Sequence, residues 1–303
     1  MTTENSEETL PIREISRLTG VNSVTLRAWE RRYGLIKPLR THKGHRLYRK
    51  EDVELIKKIQ AWLARGLAIG KISELLDPNQ FSYELNVENV WQSYLDELLS
   101  LMSDLNLGKL DAWFNQLFSV YPADIIADQL IAPTLEHFEQ GVYGNATKKS
   151  ILVNRVSEYL LMLTQRQRQG AKRERVAIIQ LTAETNPLLN IMLHYGLTTS
   201  QFKSELLGVS TTNEMLFAVN QLGLNGIVIY NNSCSSLGDF QKELQLFSQK
   251  IAKPIIVAGS VAAALHSDYP SHVSILRTGG LQTVFATLNH IFPADRKDGE
   301  VNL

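Results

Sequence analysis

Between residues 24 and 49, cationic side chains recur at intervals suited to gripping a polyanion. The stretch VTLRAWERRYG carries Arg27, Arg31 and Arg32, and the following IKPLRTHKGHRLYRKED adds Arg40, Lys43, His45, Arg46 and Arg49. Guanidinium groups bind phosphate oxygens and form bidentate hydrogen bonds to a guanine edge. Phosphate contacts set affinity and position, whereas base contacts set sequence choice. If Leu26 and Trp29 face inward, Thr25, Arg27, Arg31 and Arg32 project from the other side of one helix toward a nucleic acid. The alternative is that these arginines pair with Glu30, Glu51 or Asp52 and form only a solvated surface.

Little else in the chain has the residue types for chemistry. Its one cysteine, Cys234, excludes an internal disulfide framework and any multi-cysteine metal site. There is no Walker loop, no GxGxxG after a strand, no nucleophile elbow and no histidine cluster at metal-ligand spacing. The expectation is therefore a protein that is not an enzyme and holds no metal. No apolar run approaches the length of a membrane span. Met1 to Glu8 is polar and acidic, unlike a signal peptide, so a cytoplasmic location is expected.

Formal net charge is zero, but its distribution is uneven. Residues 10–76 carry 15 Lys and Arg against 6 Asp and Glu, a net of +9, while residues 1–9 give −3 and residues 77–303 give −6. A basic block on an acidic remainder points to a nucleic-acid module joined to something else.

The elements that would position these side chains follow from periodicity. PIREISRL places Ile12, Ile15 and Leu18 on one helical face and stops at Thr19-Gly20. Asn22 or Ser23 can cap a second helix that ends at Gly34, which makes a helix-turn-helix. Pro38 and Gly44 then break the chain into a basic β-hairpin, or wing, and helices follow at 51–65 and 69–76. Residues 78–89 read as a linker. Four amphipathic stripes over 90–170 predict a four-helix bundle, with the charged QRQRQGAKRER as a second linker. From residue 171 to 293, short apolar strands (176–181, 205–209, 226–231, 254–258, 273–276) alternate with helices. That is the pattern of a doubly wound, parallel, five-stranded α/β sheet, which binds ligands at the carboxyl ends of its strands. Residues 294–303 read as a tail.

The stretch ISRLTGVNSVTLRAWERRYGLIKP, followed by GHRLYRKEDVELIKKIQAWLARG, resembles the winged helix-turn-helix of the MerR family of transcription regulators. The TLRAWERRYGLIKP…GHRLY form resembles the CarH/LitR and MlrA/BluR branch of that family, in which a helical bundle and a cobalamin-binding-like domain follow. The N-terminal match is dense over about 65 residues, and beyond it the likeness is one of architecture. The resemblance implies that Thr25, Arg27, Trp29 and Arg31 face DNA from the second helix, with His45, Arg46 and Tyr48 on the wing. Trp29 has a competing role as a core anchor. The resemblance further implies a dimer on palindromic promoter DNA, with RNA polymerase as a further partner.

Relatives that bind cobalamin carry two signatures. The first, Asp/Glu-x-His-x-x-Gly after the first strand of the α/β domain, supplies the lower cobalt ligand. Here Glu184 keeps the acid, but Asn186 stands at the His position and Leu189 at the Gly position. Asn ligates cobalt poorly beside imidazole. The second is a Trp, nine residues, then Glu-His in the bundle. Phe138 takes the Trp position and Lys148-Lys149 the Glu-His positions, while Glu136-His137 reads as a surface or bundle pair.

The expected protein is thus a dimeric or larger DNA-binding regulator whose C-terminal region has lost cobalamin ligation and answers to a protein or an unknown small molecule. Gly259-Ser260 and Gly279-Gly280 would line any residual pocket. The alternative is a cobalamin-dependent light or metabolite sensor that uses a different ligand, with His194 the first candidate.

Overall fold

Ile15, Leu26, Trp29, Tyr48, Ile56, Ile59 and Leu63 are fully buried and gather the basic block around one small core. A computed structural model of the chain describes residues 9–76, 89–182, 187–209, 211–266 and 268–293. Residues 78–88 of the expected linker, the tail at 294–303 and two expected cofactor-site residues, Glu184 and Asn186, lie outside the described residues. The chain divides into two compact units between Leu152 and Val153.

The first unit opens with strand β1 (Thr9–Pro11) and helices α1 (Ile12–Thr19) and α2 (Ser23–Tyr33). The wing follows as β2 (Leu39–Arg40) and β3 (Arg46–Arg49), then α3 (Lys50–Ala64) and α4 (Ile69–Leu75). β1 pairs antiparallel with β3, so the hairpin is the outer part of a three-stranded sheet in the order β1-β3-β2. Pro11 is tolerated because β1 is an edge strand, where a missing N–H breaks no ladder.

Helices α5 (Val90–Ser103) and α6 (Leu107–Val120) come next, each started by an asparagine side chain that accepts from the first turn, Asn89 and Asn106. The third amphipathic stripe is interrupted. It runs as α7 (Ala123–Ile126), a π turn (Ala127–Ile131) and α8 (Ala132–Phe138). Pro133 explains the break: it has no N–H to give, and its ring would meet the carbonyl four residues back. The preceding turn widens until the Ala132 N–H reaches Ala127, five residues earlier. α5 packs on α6, on the π turn and on α8, and α9 (Asn145–Gln167) runs across the division between the two units.

The second unit contains β4 (Arg175–Gln180), α10 (Leu188–Thr199), β5 (Lys203–Val209), α11 (Thr212–Leu222), β6 (Gly226–Tyr230), α12 (Leu237–Lys250), β7 (Ile255–Ala258), α13 (Ser260–Ala263), β8 (Val273–Ile275) and α14 (Leu281–Ile291). All strand pairs are parallel, in the order β5-β4-β6-β7-β8. Ala177, Ile179, Ile227, Ile229, Ile255 and Val257 point to the face covered by α11, α12 and α13. The alternate residues Val176, Ile178, Val228 and Ile256 are equally buried. Both faces are covered, which is why the strands read as unbroken apolar runs. α10 is buried along its whole length, and at Gly196 an added Cβ would stand 2.3 Å from the Phe285 ring of α14.

The expected second linker needs correction. Arg173, within its charged run, is not solvated. Its guanidinium lies 3.6 Å from the Phe202 ring centroid and donates to Asn289 Oδ1 at 2.9 Å and to the Phe292 carbonyl. Sequence charge alone cannot separate a solvated arginine from one with two acceptors over a hundred residues away.

Candidate nucleic-acid interface

The turn between α1 and α2 is held by hydroxyl and amide bonds close in sequence. Thr19 Oγ1 donates to the Ile15 carbonyl at 2.7 Å, and Asn22 Oδ1 caps α2 by accepting from the Val24 N–H at 2.9 Å. α2 is thereby fixed at its start, and its inner face (Thr25, Leu26, Ala28, Trp29) is buried. Its outer face carries Val24, Arg27, Arg31 and Arg32, of which Arg31 and Arg32 are exposed and Arg27 is half-buried.

The wing tip is a tight turn. Thr41 and His45 exchange backbone and side-chain hydrogen bonds, which leaves His42, Lys43 and His45 exposed at the end of β2 and β3. One residue ties the wing to α2: the Glu30 carboxylate accepts from Arg40 Nη2 at 2.6 Å and from Arg46 Nε. Burial alone would raise the Glu30 pKa, but the hydrogen bonds and charges of Arg46 and Arg40 outweigh it and hold the carboxyl below the usual carboxylate range. The same bond raises the Arg46 pKa.

Residues 10–78 match the MerR HTH family of regulatory proteins. Residues 10–78 are a MerR HTH domain. Among curated relatives, the transcriptional regulator MlrA of Escherichia coli K12 is 37% identical over 122 residues, 40% of this chain and 49% of that protein. The chain thus spans about half the length of that relative. The transcriptional repressor CarA of Myxococcus xanthus is 50% identical over 65 residues, covering 21% of this chain and 23% of that one. A crystal structure of a cobalamin-binding protein from Desulfitobacterium hafniense covers 55% of this chain and 83% of that one at 14% identity and a TM-score of 0.27.

Three of the expected DNA-facing residues of the MerR HTH domain are corrected by their burial. Trp29 is 0% exposed and its indole N–H donates to the Val120 carbonyl at 2.8 Å, so it is a core anchor. Thr25 is buried on the same side of α2. Tyr48 points into the core from the middle strand of the small sheet, and burial pushes its phenol up to about 12. Arg27, Arg31, Arg32, Lys43, His45 and Arg46 remain on the solvent side, with Arg46 in the Glu30 pair. The alternative of arginine pairing holds at Glu30 for two of the wing arginines. Sequence reasoning missed Val24, which is 52% exposed, and the contact of Trp29 with a residue of α6.

In the α/β unit the strand order reverses between β4 and β6, the place where ligands enter sheets of this kind. There Asn231 is fully buried. Its Oδ1 accepts from the Leu181 N–H at 3.1 Å and its Nδ2 donates to the Thr182 carbonyl at 3.1 Å, stitching the two strand ends together. Gly259 has a positive φ of 89°, and a Cβ there would stand 2.3 Å from the Asn231 carbonyl oxygen. Gly279 likewise makes room for Thr283 Oγ1, while Ser260 N–H donates to Asn232 Oδ1 at 3.1 Å and Gly280 starts α14. At Gly259 and Gly279 the place that a Cβ would take is occupied by Asn231 and Thr283.

Of the other cofactor-site residues, Leu189 is buried in α10 of the second unit; Phe138 and Lys149 belong to the first. Phe138 is buried at the end of α8, and Lys149 pairs with Glu139 at 2.8 Å. His194 faces β5, with Nδ1 2.9 Å from Ser204 Oγ. Burial, with a smaller contribution from the Arg168 charge, lowers its pKa to about 4. An imidazole packed and bonded in this way does not fit the role of an open cobalt ligand. Among the described residues, no group of three or more His, Cys, Asp and Glu is placed to hold a metal ion, and no helix is long and apolar enough to cross a membrane.

Proposed function

We propose that this chain is a sequence-specific, DNA-binding transcription regulator that works as a homodimer or larger oligomer in the bacterial cytoplasm, with RNA polymerase as a further partner. The observation that carries the reading is the single cationic surface formed by the outer face of α2 and the clipped wing: Arg27, Arg31 and Arg32 beside Lys43, His45 and Arg46. A helix-turn-helix places its second helix in the major groove, and the wing cations then lie along the flanking backbone. Two half-sites read by two copies multiply a weak single contact into a specific one. The named activities of MlrA and CarA support regulation of transcription as the role, and no catalysis is proposed. The test is selection of the full chain on a random duplex library, followed by binding of the selected duplex over a range of salt. A steep salt dependence with a preferred sequence supports the reading; a chain that binds no duplex above background overturns it.

The α/β unit is proposed to receive the regulatory signal, from a protein or a small molecule other than cobalt-ligated cobalamin. The commitment of His194 to Ser204, and of Asn231 to the strand ends at the switch point, supports this. Incubation of the protein with adenosylcobalamin and hydroxocobalamin in the dark, followed by desalting, decides the point. A retained visible chromophore would revive the alternative of a cobalamin sensor with an unusual ligand, and light-dependent DNA binding would be the next measurement.

A further inference from the structure

The outer face of α2 carries one apolar side chain. Val24 is the second residue of the helix and 52% exposed, whereas Leu26, Ala28 and Trp29 are buried. At helical spacing Val24, Arg27 and Arg31 form one stripe, because positions i, i+3 and i+7 share a face. Helix energetics do not call for valine here. A β-branched side chain loses rotamer freedom in a helix, and the first turn favours small polar or acidic residues. Burial does not call for it either. What remains is what the side chain can touch from that position.

In a helix-turn-helix, the N-terminal residues of the second helix are those that reach base edges in the major groove. Valine has no donor or acceptor. The one apolar group on the major-groove edge of a standard base pair is the C5 methyl of thymine. We propose that Val24 is a specificity-determining residue that reads a thymine methyl, while Arg27 and Arg31 on the same stripe take the neighbouring phosphates or base edges. This inference rests on the DNA-binding reading above.

The test uses the full chain and the duplex it selects from a random library. Each thymine in turn is replaced by deoxyuridine, which keeps the base pair and removes only the methyl. The wild type is expected to bind about fourfold more weakly when the methyl under Val24 is removed, and Val24→Ala is expected to bind both duplexes alike. Val24→Ala leaves the core untouched, so a fold defect does not confuse the result. Equal losses in the two proteins, or no thymine whose methyl matters, would overturn the proposal with DNA binding intact. A chain that selects no duplex would overturn the DNA-binding reading and this inference with it.

Discussion

The indole N–H of Trp29 donates to the carbonyl of Val120 across 2.8 Å, linking the middle of α2 to the last residue of α6. A second tryptophan does the reverse: Trp91, at the start of α5, donates to the Leu63 carbonyl of α3 at 2.9 Å. Each helical group thus sends one indole into the other. The face of α2 opposite its arginines is held by the helices that follow the MerR HTH domain.

Replacing Trp29 by Phe keeps much of the buried ring and removes the donor, which leaves the Val120 carbonyl buried without it. The expected cost is about 1–3 kcal/mol of stability, read by urea denaturation. Trp91→Phe is expected to cost less, because the Leu63 carbonyl also accepts from the Gly66 N–H at 3.0 Å. If Trp29→Phe melts with wild-type stability, the bond contributes nothing and α2 is held by apolar packing alone.

Glu30→Gln separates charge from positioning in DNA binding. It removes a negative charge beside the phosphates and releases the wing from α2. Affinity for unrelated DNA is expected to rise and its salt slope to steepen, while the ratio of specific to non-specific affinity falls. A fluorescence titration on selected and scrambled duplexes at two salt concentrations reads both. Acid should have the same effect on the wing. The folded-state pKa of Glu30 is depressed, so the clip is intact above its unfolded value of 4.5 and is lost as pH falls through the lower folded value. The protection of wing amides, taken relative to the intrinsic exchange rate at each pH from 6 downward, should fall only below that range.

The cations should not weigh equally. Arg31→Ala is expected to lower the slope of log K against log salt by about 0.9 for each phosphate that the guanidinium neutralises. Arg46→Ala should lower it by less, because Glu30 already neutralises part of its charge. Equal slopes for the two variants would mean that the ion pair opens on binding.

His194 is expected to make the α/β unit acid-sensitive. Its folded pKa of about 4 lies below the ordinary 6.5. Between these values the unfolded chain binds a proton that the folded one refuses, so stability falls as pH drops from 6.5 toward 4, by up to about 1.4 kcal/mol per pH unit. His194→Asn should flatten that part of the stability profile relative to wild type. A parallel profile for the two proteins would show that His194 does not carry the effect.

Much of this architecture is legible in the residues. Asn22 and Gly34 bound α2 as expected, and the apolar strands give the parallel sheet because both of its faces are covered. The failures share one cause. Trp29, Tyr48 and Arg173 each have the composition of a surface or binding residue by local pattern, and each is buried. Period alone shows which residues share a face, but not that a second element covers it, and the partner of Trp29 is 91 residues away. β1 is too short to carry an alternation. The π turn is set by a proline that the stripe Ile126, Leu130 and Leu135 does not reveal. Val24 escaped because an exposed valine carries no signal until its neighbours on the helix are known to be buried.

Arg173 has a consequence for the order of events during synthesis. Its partners Asn289 and Phe292 are 116 and 119 residues further along the chain. A nascent chain that has already formed β4 and β5 lacks these two acceptors for the guanidinium until α14 and the residue after it have left the ribosome. The α/β unit should therefore stay open to proteases on stalled chains that stop short of α14, and close only when its final helix arrives.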